Sequence, residues 1–262
     1  MINAAVLGSP ISHSLSPKIH SKAYEILGFE ATYTAIEITE DQFPKFFAEN
    51  SNGNWDGFSL TMPLKEVVLD CCKSVSDIAK QINSGNTLYK VGGDWRVTST
   101  DYLAFNNLLD VMPGMNIAII GSGGTARAAA GALDGKVDAV DVLLRSSNRV
   151  AAMSQAAPNV KIRALEMDAP LSSYDLIIQT TPVGAYDQYV EKLHDAPGLL
   201  LECLYKPWPT PLAARYAQLG GRVISGGQLL VEQALFQIEL FSGNSFDFAT
   251  MRRELLLHIS AG

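Results

Sequence analysis

Three stretches of the 262-residue chain concentrate groups able to bind or react. GSPISHSLSP, residues 8–17, sets Ser12, Ser14 and Ser16 at alternate positions just after the apolar run Ala4-Ala5-Val6-Leu7. Hydroxyls at that density serve either as turn residues or as neutral donors and acceptors for a ligand. SLTMPLK puts Lys65 two residues after Pro63. Proline favours a helix start through its fixed φ and missing N–H, so Lys65 falls in a first helical turn. The positive end of the helix dipole disfavours an ammonium there, which suits a group that must release and regain a proton. The alternative is a surface lysine with its stem laid along the protein. Asp101, in VTSTDYLAF, reads as a carboxylate capping a helix, and Asn86, in SGNTLYK, as a turn residue.

The third stretch is NIAIIGSGGTARAA, an apolar run leading into Gly121-Ser122-Gly123-Gly124-Thr125-Ala126. The pattern is G-x-G-x-x-A between a strand and a helix. Gly121 would allow the tight turn, Gly123 the approach of a pyrophosphate to the backbone, and Ala126 close helix–strand packing. Free N–H groups at the helix start would hold the phosphates. Dinucleotide binding is therefore set against a purely structural turn. An acid at the end of the next strand would bond ribose hydroxyls, whereas an arginine suits a 2′-phosphate. Here AVDVLLRSSNR ends in Arg145-Ser146-Ser147, and Asp141 comes too early. NADP is expected over NAD, with a solvated surface charge as the other reading of Arg145.

Apolar runs alternate with helix-like stretches along most of the chain, the mark of an α/β protein. Strands are expected at 3–8, 32–38 and 57–61, with helices over 17–28, through DQFPKFFAEN and after Pro63. NTLYK and WRVT flank Gly92-Gly93-Asp94 as a hairpin. The alternation restarts after Met112-Pro113-Gly114 with a strand at 116–120, a helix at 125–133 and strands at 139–144, 160–165, 175–180, 198–204 and 222–224. An N-terminal α/β substrate domain (1–102) and a Rossmann-like doubly wound dinucleotide-binding domain (103–227) are expected. Gln228 to Phe241 reads as a long apolar helix, and the C-terminal helical segment 228–262 would pack back on the first domain.

A net charge of -7 and a pI near 5.1, without clustered lysine and arginine, speak against nucleic acid and anionic membrane surfaces. No apolar stretch approaches the roughly 18 residues of a membrane span. The start of the chain lacks the pattern of a signal peptide, so a cytoplasmic protein is expected. Cys71, Cys72 and Cys203 read as reduced thiols, and four histidines with no i, i+4 pair offer no zinc site.

Taken in order, these segments resemble the shikimate dehydrogenase family, in its compact bacterial biosynthetic branch. GSPISHSLSP, SLTMPLK, SGNTLYK with TSTD, GSGGTARA, LIIQTTPVG, YKPWPTPLA and ISGGQLLVEQALFQ carry the resemblance across nearly the whole chain. It implies reversible NADPH-dependent reduction of 3-dehydroshikimate to shikimate, and it aims Ser14 and Ser16, but not Ser12, at a ligand. Ser14 and Ser16 would bond the substrate carboxylate. Thr61, Asn86 and Gln233 would hold ring hydroxyls, Tyr205 would reach the substrate, and Lys65 with Asp101 would form the acid/base pair. The nucleotide side would comprise residues 121–126, Arg145, Ser146, Thr181 and Gly226, the last beside the nicotinamide. A monomer or homodimer is expected.

The chain departs from the family pattern at Ser59 and Ser99, where asparagines are usual, and at Ala104, where glycine is common. Leu144-Arg145-Ser146 stands for N-R-T, and Glu202 for an aspartate. Two other readings follow from these changes: a paralogue acting on quinate with NAD, and a non-catalytic sensor of a shikimate-like ligand. Retention of both Lys65 and Asp101 weighs against the sensor, because a binder needs no acid/base pair.

Overall fold

The computed structural model describes residues 1–196 and 198–260. The chain divides into two compact units, one formed by Met1–Ala104 with the segment from Leu230 onward, the other by Phe105–Leu229.

The first unit begins with β1 (Ile2–Gly8), α1 (Ser16–Leu27), β2 (Ala31–Glu37), α2 (Phe43–Asn50), β3 (Gly57–Leu60) and α3 (Leu64–Cys71). β4 (Ser74–Val75), α4 (Asp77–Gln81), β5 (Thr87–Val91), β6 (Asp94–Thr98) and α5 (Thr100–Leu108) follow, the last running into the second unit. Its sheet has the order β2-β1-β3-β5-β6-β4. β1 pairs in parallel with β2 and β3, while β5 runs antiparallel to both β3 and β6. Successive residues of β1 serve opposite faces, as the period of a strand requires. Ala4 and Val6 join Ile19, Ala23 and Tyr24 of α1 in one core cluster. Ala5 and Leu7 join Phe43, Phe47, Phe58 and Val68 in another.

The second unit holds β7 (Ile117–Ile120), α6 (Gly124–Leu133), β8 (Ala139–Leu143), α7 (Val150–Ala156), β9 (Lys161–Leu165), β10 (Leu176–Gln179), β11 (Leu199–Glu202), α8 (Pro211–Gln218) and β12 (Arg222–Ile224). All its strand pairs are parallel, in the order β12-β11-β10-β7-β8-β9. Counted from β7, that is the 3-2-1-4-5-6 order of doubly wound dinucleotide-binding folds. β7 and β10 are buried at every position, as expected where helices cover both faces of a parallel sheet.

The helix expected from Gln228 to Phe241 is α9 (Gly226–Ser242), and a further helix, α10 (Phe248–Ser260), follows it; residues 261 and 262 lie outside the described ones. The break falls at Gly243, whose φ of 66° ends α9 in the left-handed conformation glycine accepts. Asp247 starts the next helix by accepting the N–H groups of Ala249 and Thr250 at 3.3 and 3.0 Å. From α9, Val231, Ala234, Leu235 and Ile238 join the same cluster as Ala4 and Val6, with Met251 and Leu255 of α10. β4 and α4 were not anticipated. Ser76 caps α4 by accepting the Ala79 N–H, and this Ser-Asp start was visible in the sequence. The strand expected over 198–204 ends at Glu202, whose carboxylate takes the Leu204 N–H and turns the chain away.

Candidate active site

In the first unit, strand direction brings the reactive segments to one edge of the sheet. The loops after β1 and β3 leave the carboxyl ends of adjacent parallel strands, and the Ser9 N–H bonds the Met62 carbonyl at 3.0 Å. β5 runs the other way, so Asn86, just before it, lies at the same edge. β6 reverses again and delivers Ser99, Thr100 and Asp101 there.

At that edge Lys65 Nζ donates to Asp101 Oδ2 at 2.7 Å, with side chains 18% and 11% exposed. The surface-lysine reading is thereby set aside. The other carboxylate oxygen, Oδ1, accepts from Asn86 Nδ2 at 2.9 Å. Asn86 is no solvent-facing turn residue: it is buried, and its Oδ1 accepts the Thr100 N–H at 2.7 Å. That bond assigns its amide, turning Nδ2 towards Asp101, Thr100 Oγ1 at 2.9 Å and Gln233 Oε1 at 3.3 Å. Gln233 is anchored in turn by donating from Nε2 to the Leu230 carbonyl at 2.8 Å. An ammonium held by a carboxylate whose second oxygen is also occupied has a defined direction, the requirement for proton transfer at a chosen atom.

Asp101 does not cap α5. Ser99 does, its hydroxyl accepting the Tyr102 N–H at 3.3 Å, which leaves the Asp101 carboxylate free to turn to Lys65. The serine at this position thus still starts the helix that carries Asp101. Thr61 extends β3's edge through its N–H to the Leu7 carbonyl at 2.9 Å, and its carbonyl accepts the Leu64 N–H at the head of α3. Ser14 Oγ accepts the Ser16 N–H at 3.2 Å beside the start of α1, and Ser16 is buried. Ser12 is exposed.

In the second unit the parallel strands place the glycine loop, Arg145-Ser146, Thr181, Tyr205 and Gly226 after the carboxyl ends of β7, β8, β10, β11 and β12 respectively. Gly121 has φ 111°, and a Cβ there would collide with Thr180 Oγ1. Gly123 stands at the N-cap of α6 with open space where a Cβ would project, the room a phosphate group needs. The Ser122 carbonyl accepts from Arg127 Nη1 at 3.4 Å, Thr125 lies in the first turn of α6, and Ala126 is wholly buried. Arg145 and Ser146 are exposed, with the Ser146 hydroxyl donating to Asn148 Oδ1 at 2.8 Å. Asp141 is spent in the fold, accepting from Arg163 Nε and from the Tyr174 hydroxyl, and so offers no carboxylate at the strand end. Thr181 donates its N–H and hydroxyl to Gln179 Oε1 at 2.7 and 3.0 Å. A Cβ on Gly226 would strike the Leu204 carbonyl, so no larger residue fits there. Glu202 is fully buried and accepts from Leu204 N–H and Thr210 Oγ1 at 3.1 and 2.8 Å; burial pushes its carboxyl up to about 7. Among the described residues no group of three His, Cys, Asp or Glu is placed to hold a metal, and no helix is long and apolar enough to cross a membrane.

The chain is similar to known proteins along most of its length. Residues 6–88 match the model of the shikimate dehydrogenase substrate binding domain. A shikimate dehydrogenase (NADP(+)) of Exiguobacterium sp. is 34% identical over 250 residues, 92% of this chain and 93% of that protein. The chain belongs to the shikimate dehydrogenase family. Among solved members of the family, the Mycobacterium tuberculosis enzyme superposes with a TM-score of 0.87 at 33% identity, covering 99% of this chain and 100% of that one. The Thermus thermophilus enzyme, solved with NADP(H) and shikimate, gives a TM-score of 0.84 at 28% identity over 98% and 100%.

Sequence reading gave no role to Thr87, Thr100 or Gln237, although all three lie within the quoted segments SGNTLYK, TSTD and ISGGQLLVEQALFQ. Thr100 and Thr87 complete the hydrogen bonding of Asn86, and Gln237 bonds both Asn86 and Thr87. The signal for Gln237 was its spacing: four residues past Gln233, it occupies the same face of α9.

Proposed function

We propose that this chain is an NADP-dependent shikimate dehydrogenase in which Lys65 and Asp101 act as the acid/base pair. The observation that carries the reading is the 2.7 Å bond from Lys65 Nζ to an Asp101 carboxylate whose other oxygen is held by Asn86. Reduction of a ring ketone leaves negative charge on its oxygen. An ammonium beside that oxygen stabilises the charge and delivers the proton, and in the reverse direction the neutral amine removes it. Asp101 orients Lys65 and balances its charge throughout. In this reading Ser14 and Ser16 bond the substrate carboxylate, while Thr61, Asn86 and Gln233 bond ring hydroxyls, with Tyr205 also reaching the substrate. A site of neutral donors and acceptors rejects an analogue lacking a hydroxyl, because its own buried groups are then unpaired.

The glycine loop passes the steric test for a dinucleotide through the left-handed Gly121 and the open space at Gly123. Residues 121–126 would hold the pyrophosphate, Arg145 and Ser146 the 2′-phosphate, and Thr181 and Gly226 would flank the nicotinamide. When bound, the nicotinamide supplies or accepts the hydride. The enzyme is placed in the cytoplasm by this reading, as a monomer or homodimer. Following nicotinamide absorbance while crossing shikimate and quinate with NADP and NAD tests it. Shikimate with NADP should give the highest kcat/KM. A preference for quinate with NAD, or saturable shikimate binding without turnover, would overturn it.

A further inference from the structure

A second polar cluster reaches the Lys65–Asp101 pair through Asn86, and its members Ser59, Thr87 and Gln237 have been given no role in binding or catalysis so far. Gln237, on α9, is buried and uses every hydrogen-bonding position of its amide. Its Oε1 accepts from Ser59 Oγ at 2.7 Å and from His20 Nε2 at 3.3 Å. Its Nε2 donates to Thr87 Oγ1 at 3.0 Å and to the Asn86 carbonyl at 3.2 Å. Thr87 Oγ1 passes its own hydrogen to Asn86 Oδ1 at 3.1 Å. On the far side the Tyr33 hydroxyl donates to Ser59 Oγ at 2.6 Å, and the His20 ring stacks on Tyr33 with centroids 3.9 Å apart.

Donor and acceptor roles run one way through this cluster. An amide oxygen only accepts, so His20 carries its hydrogen on Nε2, and its Nδ1 accepts from the Tyr24 hydroxyl at 3.2 Å. Ser59 gives its hydrogen to Gln237, so its oxygen is what Tyr33 bonds. The serine found where the family usually has asparagine thus serves Gln237. Each link is buried, so a missing partner would leave a neighbour unpaired rather than solvated.

We propose that Gln237 is a positioning residue: by donating to Thr87 and to the Asn86 backbone it fixes the Asn86 amide that holds Asp101, with Ser59 and His20 fixing Gln237 itself. The inference rests on the acid/base reading of Lys65 and Asp101. It separates Gln237 from the core glutamines of an ordinary helix, because its effect appears in turnover of shikimate while KM for NADP stays unchanged. Gln237→Glu keeps an acceptor for Ser59 and His20 but leaves at most one donor, the O–H of a protonated carboxyl, where the amide had two. Thr87→Val removes the hydroxyl through which Gln237 reaches Asn86 Oδ1, whereas Thr87→Ser retains it.

Steady-state kinetics with shikimate and NADP, on variants whose melting transitions show them folded at the assay temperature, decide the matter. Gln237→Glu and Thr87→Val should each lose about tenfold in kcat/KM for shikimate, with KM for NADP unchanged and with Thr87→Ser restoring most of the loss. Wild-type kcat/KM in both impaired variants, a raised KM for NADP, or no rescue by Thr87→Ser would overturn the role. Lys65→Ala in the same series keeps the two claims apart. An active Lys65→Ala contradicts the acid/base reading, while an inactive one beside unaffected Gln237→Glu and Thr87→Val contradicts the positioning role alone.

Discussion

Lys65 occupies a position that a helix dipole makes uncomfortable for a cation, and the fold answers with a carboxylate at 2.7 Å. That pairing makes the residue-scale predictions sharp. Asp101→Asn should keep the fold, since Ser99 rather than Asp101 caps α5, yet it removes the negative charge beside Lys65. A fall in kcat of about a hundredfold is expected, checked by steady-state assay alongside circular dichroism. Arg145 makes a separate claim on the nucleotide side. Arg145→Ala should reduce the kcat/KM ratio of NADP over NAD by about tenfold, the cost of a charge-assisted phosphate contact. An unchanged ratio would mean that Arg145 is only a surface charge.

At the scale of elements, two contacts decide whether the site is held in place. The Ser99 hydroxyl starts α5, so Ser99→Ala should cost about 1 kcal/mol of stability, read from urea unfolding. Arg252 of α10 grips the fully buried Glu232 of α9 through Nε at 2.6 Å and Nη2 at 2.9 Å. Arg252→Ala takes both of those bonds from a buried carboxylate, and a loss of about 2 kcal/mol is expected by the same measurement. Most elements were legible because their signals are local: Pro17 and Pro63 at helix starts, Gly28 at a helix end, and the Gly92-Gly93 turn between two strands. α10 was not anticipated as a helix of its own, because the long apolar pattern of α9 ends at Phe241 and the later residues carry a weaker one. The Lys65–Asp101 contact could be reached only by family resemblance. It joins residues 36 positions apart, and nothing in either local pattern points to the other. The role of Gln237 was hidden for the same reason, since its partners Ser59, Asn86 and Thr87 lie some 150 to 178 residues away.

Over the whole molecule, the two units should respond to pH in opposite directions. His20, in the first unit, is fully buried, and desolvation lowers its ring from the ordinary 6.5 to about 3. Its folded pKa is depressed, so the unfolded unit binds the extra proton and stability is lost as pH falls from about 6.5 towards 3. Glu202, in the second unit, is raised by burial from the ordinary 4.5 to about 7. Here the folded unit holds the extra proton, so its stability is lost as pH rises from about 4.5 through 7. Hydrogen exchange at pH 5 and pH 8, corrected for intrinsic rates, should show protection shifting towards the first unit at the higher pH, and Glu202→Gln should flatten the response of the second. The central claim is more local than any of this. Steady-state turnover of shikimate and NADP by folded Lys65→Ala tests it most directly: kcat should fall by about a hundredfold or more while KM for NADP holds, and a kcat within about twofold of the unsubstituted enzyme would contradict the account.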